Sequence, residues 1–154
     1  MPKKSSARAR KPAKKARKRT KKSASRKASL KHVPTRGLYG WITHTDLSSR
    51  DPAATEAWCA AVLGWHFRPR MSTPAGPYHL FTYSERGGGG IRAVGPAETP
   101  SSVPYIHVED AQATFDQAIR AGAEVVSAPE RVMEGVTIAV VRAPGGVVVG
   151  LSGP

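Results

Sequence analysis

The sequence predicts an α+β domain built from two βαβββ repeats, preceded by a disordered basic tail. Three observations carry that prediction. Charge is split sharply along the chain: residues 1–36 hold sixteen Lys and Arg and no acid, whereas residues 37–154 hold eight Arg, no Lys and eleven acids. Two helix-start signals, Asp51-Pro52 and Asp110, lie 59 residues apart. Each is preceded by one β-rich run and followed by three, and each half alone would leave a sheet face uncovered, so the two pack as one unit.

Residues 1–36 are assigned to the tail and residues 37–154 to the domain. The tail carries a charge of +16 and the body −3, which sums to the +13 of the whole chain. A like-charged block with few apolar residues buries too little surface to offset its ordering entropy. The body has the length of one small domain with a single core.

Within the body, residues 40–47 (GWITHTDL) read as a strand, rich in β-branched and aromatic types. Asp51 caps the first helix and Pro52 suits its first position. Ala54, Trp58 and Val62 recur every four residues and predict one apolar stripe against the core. Gly64 ends the helix. Strands follow at 65–71, 78–84 and 89–94, separated by Pro-Ala-Gly and Glu-Arg-Gly-Gly breaks. The second half repeats the order: a strand at 103–108, a helix capped by Asp110 with Ala111, Phe115 and Ile119 on one face, a stop at Gly122, then strands at 124–127, 135–142 and 146–152. Ala128-Pro129-Glu130 and Ala143-Pro144-Gly145-Gly146 read as the breaks between them.

This pattern resembles the vicinal oxygen chelate superfamily, which includes glyoxalase I, bleomycin-resistance proteins and extradiol dioxygenases. The residues that carry the likeness are His44 seven before Asp51, Trp58-Cys59 followed by Leu63-Gly64-Trp65, Tyr105-Ile106-His107-Val108-Glu109-Asp110, and Ala143-Pro144-Gly145-Gly146, where relatives have Asp-Pro-x-Gly. The Gly89-Gly90-Ile91 run is similar to that of small bacterial glyoxalase-like proteins. The likeness covers about residues 38–153 and excludes the tail.

The resemblance implies a divalent metal held by side chains from four strands, acting as a Lewis acid on vicinal oxygens. Carried over position by position, the first ligand falls on His44. The fourth-strand ligand falls on Arg92 by strand register, or on Glu85 by an ungapped count, with Arg92 preferred because Glu85-Arg86-Gly87 reads as a turn. The remaining two fall on Val103 and Gly150. Arg, Val and Gly do not ligate through side chains. His44 is thus the one surviving ligand position, and no metal or other cofactor is expected. Glyoxalase I and dioxygenase activity are disfavoured, and whether the chain is an enzyme stays open.

Side chains alternate along a strand. His44 and Asp46 therefore share one face with Tyr105, His107 and Arg92, and these five are the candidate ligand-binding residues. Arg92 offers a forked donor for an anionic group, so the expected partner is a small molecule with an anionic group. Plainer readings stand beside this one: His44, His66, His79 and His107 as structural histidines, Tyr105 as filler, Arg92 as a strand-edge residue, Cys59 as a small buried hydrophobe, and Trp58 and Trp65 as core. The glycines at 87–90 are followed by no helix and no Lys-Ser/Thr pair, which excludes a phosphate loop.

The tail's charges lie at Lys3, Lys4, Arg8, Arg10, Lys11, Lys14, Lys15, Arg17, Lys18, Arg19, Lys21 and Lys22, with further cations beyond. Its composition resembles linker-histone and bacterial histone-like tails. A flexible polycation gains free energy by displacing counterions from DNA or RNA, whatever their sequence. The rival readings are a solubilising segment, an anionic membrane surface and a targeting signal. The single cysteine and the lack of an apolar span fit a cytoplasmic protein, nucleoid-associated if the tail holds DNA. A homodimer is left open.

Overall fold

The computed structural model describes residues 38–154. The basic residues of the tail, from Lys3 to Lys22, lie outside the described residues. The elements run β1 (Ile42–Ser49), α1 (Pro52–Trp58), β2 (His66–Phe67), β3 (Met71–Thr73), β4 (Gly76–Thr82), β5 (Gly88–Ala93), β6 (Ser101–His107), α2 (Ala111–Arg120), β7 (Glu124–Met133), β8 (Val136–Arg142) and β9 (Val148–Gly153). This is the predicted α+β order in both halves, with one extra strand in the first.

Both helices start as their sequences require. The Asp51 carboxylate accepts from the Ala54 N–H at 2.9 Å, and Asp110 does the same for Ala113 at 2.9 Å. Each such cap is worth about 1 kcal/mol. Beyond Trp58 the first helix widens into a π turn over Cys59–Leu63 and ends at Gly64, whose φ of 68° is left-handed. A side chain there would be strained, which is why glycine serves as the stop.

Among the described residues the sheet order is β2-β4-β5-β1-β6-β9-β8-β7, with β3 paired to β4. The halves meet where β1 runs antiparallel to β6. There His44 faces Tyr105 and Asp46 faces Val103. Moving each residue 59 places along the chain turns one pair into the other, so the offset read from the two caps is also the symmetry of the sheet. Parallel pairing follows on both sides: β1 with β5 and β6 with β9.

One sheet face carries both helices. Phe115 of α2 packs with Ala139, Val141 and Leu151, and Val108, Ala118 and Ile119 close around them. Burying side chains of this size contributes about 1.5–3 kcal/mol each. In the first half Leu38, Cys59, Phe81 and Ile91 are buried, and Trp65 stacks on Phe81 with centroids 4.2 Å apart.

Three expectations need correction. The predicted stripe of α1 faces outward: Trp58 is 56% exposed and Val62 60%. Thr55, Glu56 and Cys59 turn to the sheet instead, where the Glu56 carboxylate partners buried His79 on β4 at 2.5 Å. The 65–71 run is broken into β2 and β3 by Arg68-Pro69-Arg70, since proline supplies no ladder donor. The supposed break at 128–130 is instead the middle of β7. That strand lies at the sheet edge, where Pro129 is tolerated and where its pairing with β8 slips at several bulges.

Candidate functional site

The helices cover the face presented by Phe81, Ile91, Ala139 and Leu151. By alternation the opposite face carries Tyr78 of β4, Gly90 and Arg92 of β5, His44 and Asp46 of β1, Val103 and Tyr105 of β6, and Gly150 of β9. The candidate residues His44, Asp46, Arg92 and Tyr105 meet here, at the seam between the halves.

A continuous hydrogen-bonded chain links most of them. Arg92 Nε donates to Asp46 Oδ2 at 3.0 Å. The Tyr78 hydroxyl donates to Asp46 Oδ1 at 3.0 Å and lies 2.9 Å from His44 Nε2. An ionised carboxylate only accepts, so the Tyr78 proton points at Asp46 and the hydroxyl oxygen accepts from His44 Nε2–H. This fixes the histidine tautomer and leaves Nδ1 as a lone-pair acceptor. At the other end Arg92 Nη1 and Nη2 each donate to one Glu98 oxygen at 2.6 Å, and Nη1 also reaches the Ala93 carbonyl at 3.2 Å. The Tyr105 ring meets His44 edge-on with centroids 5.7 Å apart, and Tyr78 stacks against the same imidazole at 6.4 Å.

The electrostatics follow from that geometry. Burial lowers the His44 pKa and Asp46 raises it, with burial dominant, so the imidazole is neutral at pH 7. Burial and the Asp46 charge push Tyr78 far above the usual phenol range, and Tyr105 up to about 12. The two hydrogen bonds from Arg92, with help from the Gly95 N–H, hold the Glu98 pKa down at about 2. Arg92 is raised by the same bonds, first those to Glu98.

His107 stands apart from this cluster. It shares the face by alternation, but its ring stacks on Tyr39 at 5.4 Å and its Nδ1 lies 3.1 Å from the Ser152 carbonyl oxygen. A shift in the β1–β6 register between Ile42 and His44 separates it from the chain of contacts. Sequence reasoning missed Tyr78 and Glu98. Arg92, weighed earlier as an edge residue, sits on an interior strand between β4 and β1.

The sheet register also revises the ligand positions that the resemblance suggested. Asp46 pairs with Gly90 on β5, and its counterpart Tyr105 pairs with Gly150 on β9. The counterpart of Gly150 is therefore Gly90, not Arg92 two residues further on, and not Glu85, which lies in the turn before β5. Both glycines are covered: a Cβ on Gly90 would run into the Tyr78 ring, and one on Gly150 into the Tyr105 ring. Among the described residues no three His, Cys, Asp or Glu side chains converge as a metal donor set. The donors present do not fit the family's divalent ion. A shallow depression of about 490 Å³ lies elsewhere, at the end of β1 between Ser48, Arg50, Thr55 and Pro100.

Comparison with solved structures returns the same fold. A hypothetical protein from Bacillus halodurans superposes with a TM-score of 0.60 at 11% identity, covering 73% of this chain and 92% of its own. Methylmalonyl-CoA epimerase from Mycobacterium tuberculosis gives 0.61 at 16% identity, over 80% and 93%. A mutant of 4-hydroxymandelate synthase from Streptomyces coelicolor gives 0.57 at 18% identity, over 74% of this chain and 38% of the synthase. No curated protein matches the sequence. Among the described residues no helix is long and apolar enough to cross a membrane. Residues 41–151 match the sequence family itself, and the chain belongs to the Glyoxalase/Bleomycin resistance protein/Dioxygenase superfamily.

Proposed function

We propose that this chain is a small-molecule-binding member of its superfamily that works without the metal, and that its basic N-terminal segment holds nucleic acid without regard to sequence. One observation carries the first half of this reading. The polar groups of the open face are largely committed to one another, with Tyr78 bridging His44 to Asp46 and Arg92 bridging Asp46 to Glu98. The lone pairs left over belong to only two residues of ligating type, His44 and Asp46, fewer than the three or four protein ligands that a resident divalent ion takes. Gly90 and Gly150 offer nothing in place of the missing ligands, and tyrosine rings fill the space above them.

Elemental analysis of the purified chain tests this directly. The expected result is no stoichiometric zinc, nickel or iron, and no turnover of a hemithioacetal. One tightly held metal per chain, lost in His44→Ala, overturns it.

A second reading makes the domain a scaffold or dimeriser and gives the function to the tail, as in a nucleoid- or RNA-associated protein. The sixteen cations in residues 1–36 favour it. The two readings differ in salt dependence. Tail-driven binding to a polyanion weakens steeply with salt, whereas a ligand seated among half-buried groups is screened much less.

A further inference from the structure

We propose that the open face accepts a small organic cation, an ammonium or amidinium on an apolar body, seated against Asp46 beside the Tyr78 and Tyr105 rings. This rests on the small-molecule reading above and reverses the anionic ligand that Arg92 suggests in the sequence.

The reversal comes from the donor inventory. Arg92 offers five N–H groups, and four are already committed: Nε to Asp46, Nη1 to Glu98 and the Ala93 carbonyl, Nη2 to Glu98. Its fork is filled by a carboxylate of the same chain, so a ligand carboxylate or phosphate would have to displace Glu98. The His44 Nε2–H is committed to Tyr78, and the Tyr78 O–H to Asp46. What remains is chiefly acceptor capacity, against one Arg92 N–H and the Tyr105 O–H. An ionised carboxylate accepts about four bonds, and Asp46 has accepted two. His44 Nδ1 holds its lone pair, and the Tyr105 hydroxyl bonds to no described residue.

The charge sum agrees with the inventory. Asp46 and Glu98 are two negative charges against the one positive charge of Arg92, and buried His44 adds none. Asp46 is the less exposed acid, at 14% against 32% for Glu98, so the uncompensated field is strongest at the seam. Aromatic rings stand on both sides of that point: Tyr78 bonds the Asp46 carboxylate directly, and Tyr105 lies one strand away across His44. Ring quadrupoles next to a carboxylate favour a cation over a neutral group, and oppose an anion.

Three matched probes decide the matter: benzylammonium, benzyl alcohol and phenylacetate, titrated into the full-length chain. Binding is read at the backbone amides of Gly90, Tyr105 and Gly150, so an anion held by the tail is not counted. Benzylammonium is expected to shift these amides and to bind roughly tenfold tighter than benzyl alcohol, as one extra charge near a largely buried carboxylate implies, and phenylacetate is expected to bind more weakly still. Asp46→Asn should remove that preference. Should Asp46→Asn fail to fold, Glu98→Gln serves: it frees half of the Arg92 fork, so benzylammonium should weaken and phenylacetate should strengthen. Phenylacetate binding at these amides as tightly as benzylammonium overturns the charge assignment while leaving the small-molecule reading intact. An unchanged benzylammonium affinity in a folded Asp46→Asn or Glu98→Gln chain also overturns it. No shift at these amides with any of the three probes, at millimolar concentration, overturns both.

Discussion

Arg92 and Glu98 meet fork to fork, six residues apart, with Nη1 and Nη2 of the guanidinium each 2.6 Å from its own carboxylate oxygen. Glu98 belongs to the loop between β5 and β6, so this pair pins the connection between the two repeats to the strand that carries the site. It also decides what the most conspicuous cation of the open face is free to do.

The pair makes an acid-stability prediction. Glu98 has its pKa depressed in the fold, from an ordinary 4.5 to about 2, chiefly by Arg92. A carboxyl depressed in this way stabilises the fold above its unfolded pKa, and the contribution is lost as pH falls through the folded value. Denaturant melts should therefore show stability falling between about pH 4.5 and 2, and Glu98→Gln should flatten that part of the profile. An unchanged slope in Glu98→Gln would mean that the bond contributes nothing in solution.

His44 makes a second prediction in a different window. Its pKa is lowered from 6.5, mainly by burial. Below 6.5 the unfolded chain takes up a proton that the folded chain resists, so stability should fall as pH drops from 6.5. Replacing it by His44→Asn should remove this slope while leaving the one below pH 4.5 in place. Proton NMR of the imidazole gives the direct check: a titration midpoint above 6.5 would reverse the sign.

Much of this site was legible from strand alternation alone. His44, Asp46 and Arg92 lie on strands with clean apolar and turn signals, and a period of two put them on one face with Tyr105. His107 shares that period, yet a bulge in β1 near Thr43 breaks the register beside it, and a bulge leaves no mark in composition. Tyr78 was hidden for another reason. Leu80 is the residue paired with Gly90, and the Tyr78 ring reaches over that glycine from two residues along β4, a register that neither strand's own sequence displays. Glu98 lies in a loop, where no period applies. The outward stripe of α1 shows the limit of amphipathic reasoning: on this short helix the residue turned to the sheet is Glu56, which partners the buried His79 imidazole, and Trp58 stays exposed.

Tyr78 is the hinge of the polar chain, and removing its hydroxyl should show it. Tyr78→Phe takes one donor from ionised Asp46 and the acceptor from His44. A hydrogen bond to a charged group contributes about 1.5–3 kcal/mol, so a loss of about that size is expected in urea melts. Tyr105→Phe is the control. Its hydroxyl bonds to no described residue, and its removal should leave stability within about 0.5 kcal/mol.

The two ring-covered glycines give a packing prediction. Gly90→Ala places a methyl group where the Tyr78 ring lies, and should destabilise by about 1–3 kcal/mol, as overpacking does. In a Tyr78→Ala background the same change should cost much less, because the obstacle is gone. The coupling energy from that double-mutant cycle measures the contact itself. Additive effects would show that the ring moves aside freely.

The basic segment makes the last prediction, and it rests on polyelectrolyte physics rather than on the fold. Sixteen positive charges lie within residues 1–36, while the body carries three more acids than bases. Each phosphate neutralised on duplex DNA contributes about −0.9 to the slope of log affinity against log salt. An arm does not engage every charge at once, so a slope equivalent to about six to ten contacts is expected. Affinity should be nearly indifferent to base sequence, because residues 1–36 contain no aromatic side chain to stack on bases. The body at −3 should repel DNA if it acts at all. The full chain should thus bind random duplex at low salt and release it at high salt. A chain with Lys11, Lys14, Lys15, Arg17, Lys18 and Arg19 changed to Gln should bind more weakly with a shallower slope, its thermal transition unchanged. Equal affinity and slope in that variant, or a strong preference for one DNA sequence, would place the contact on the domain and sink the tail model.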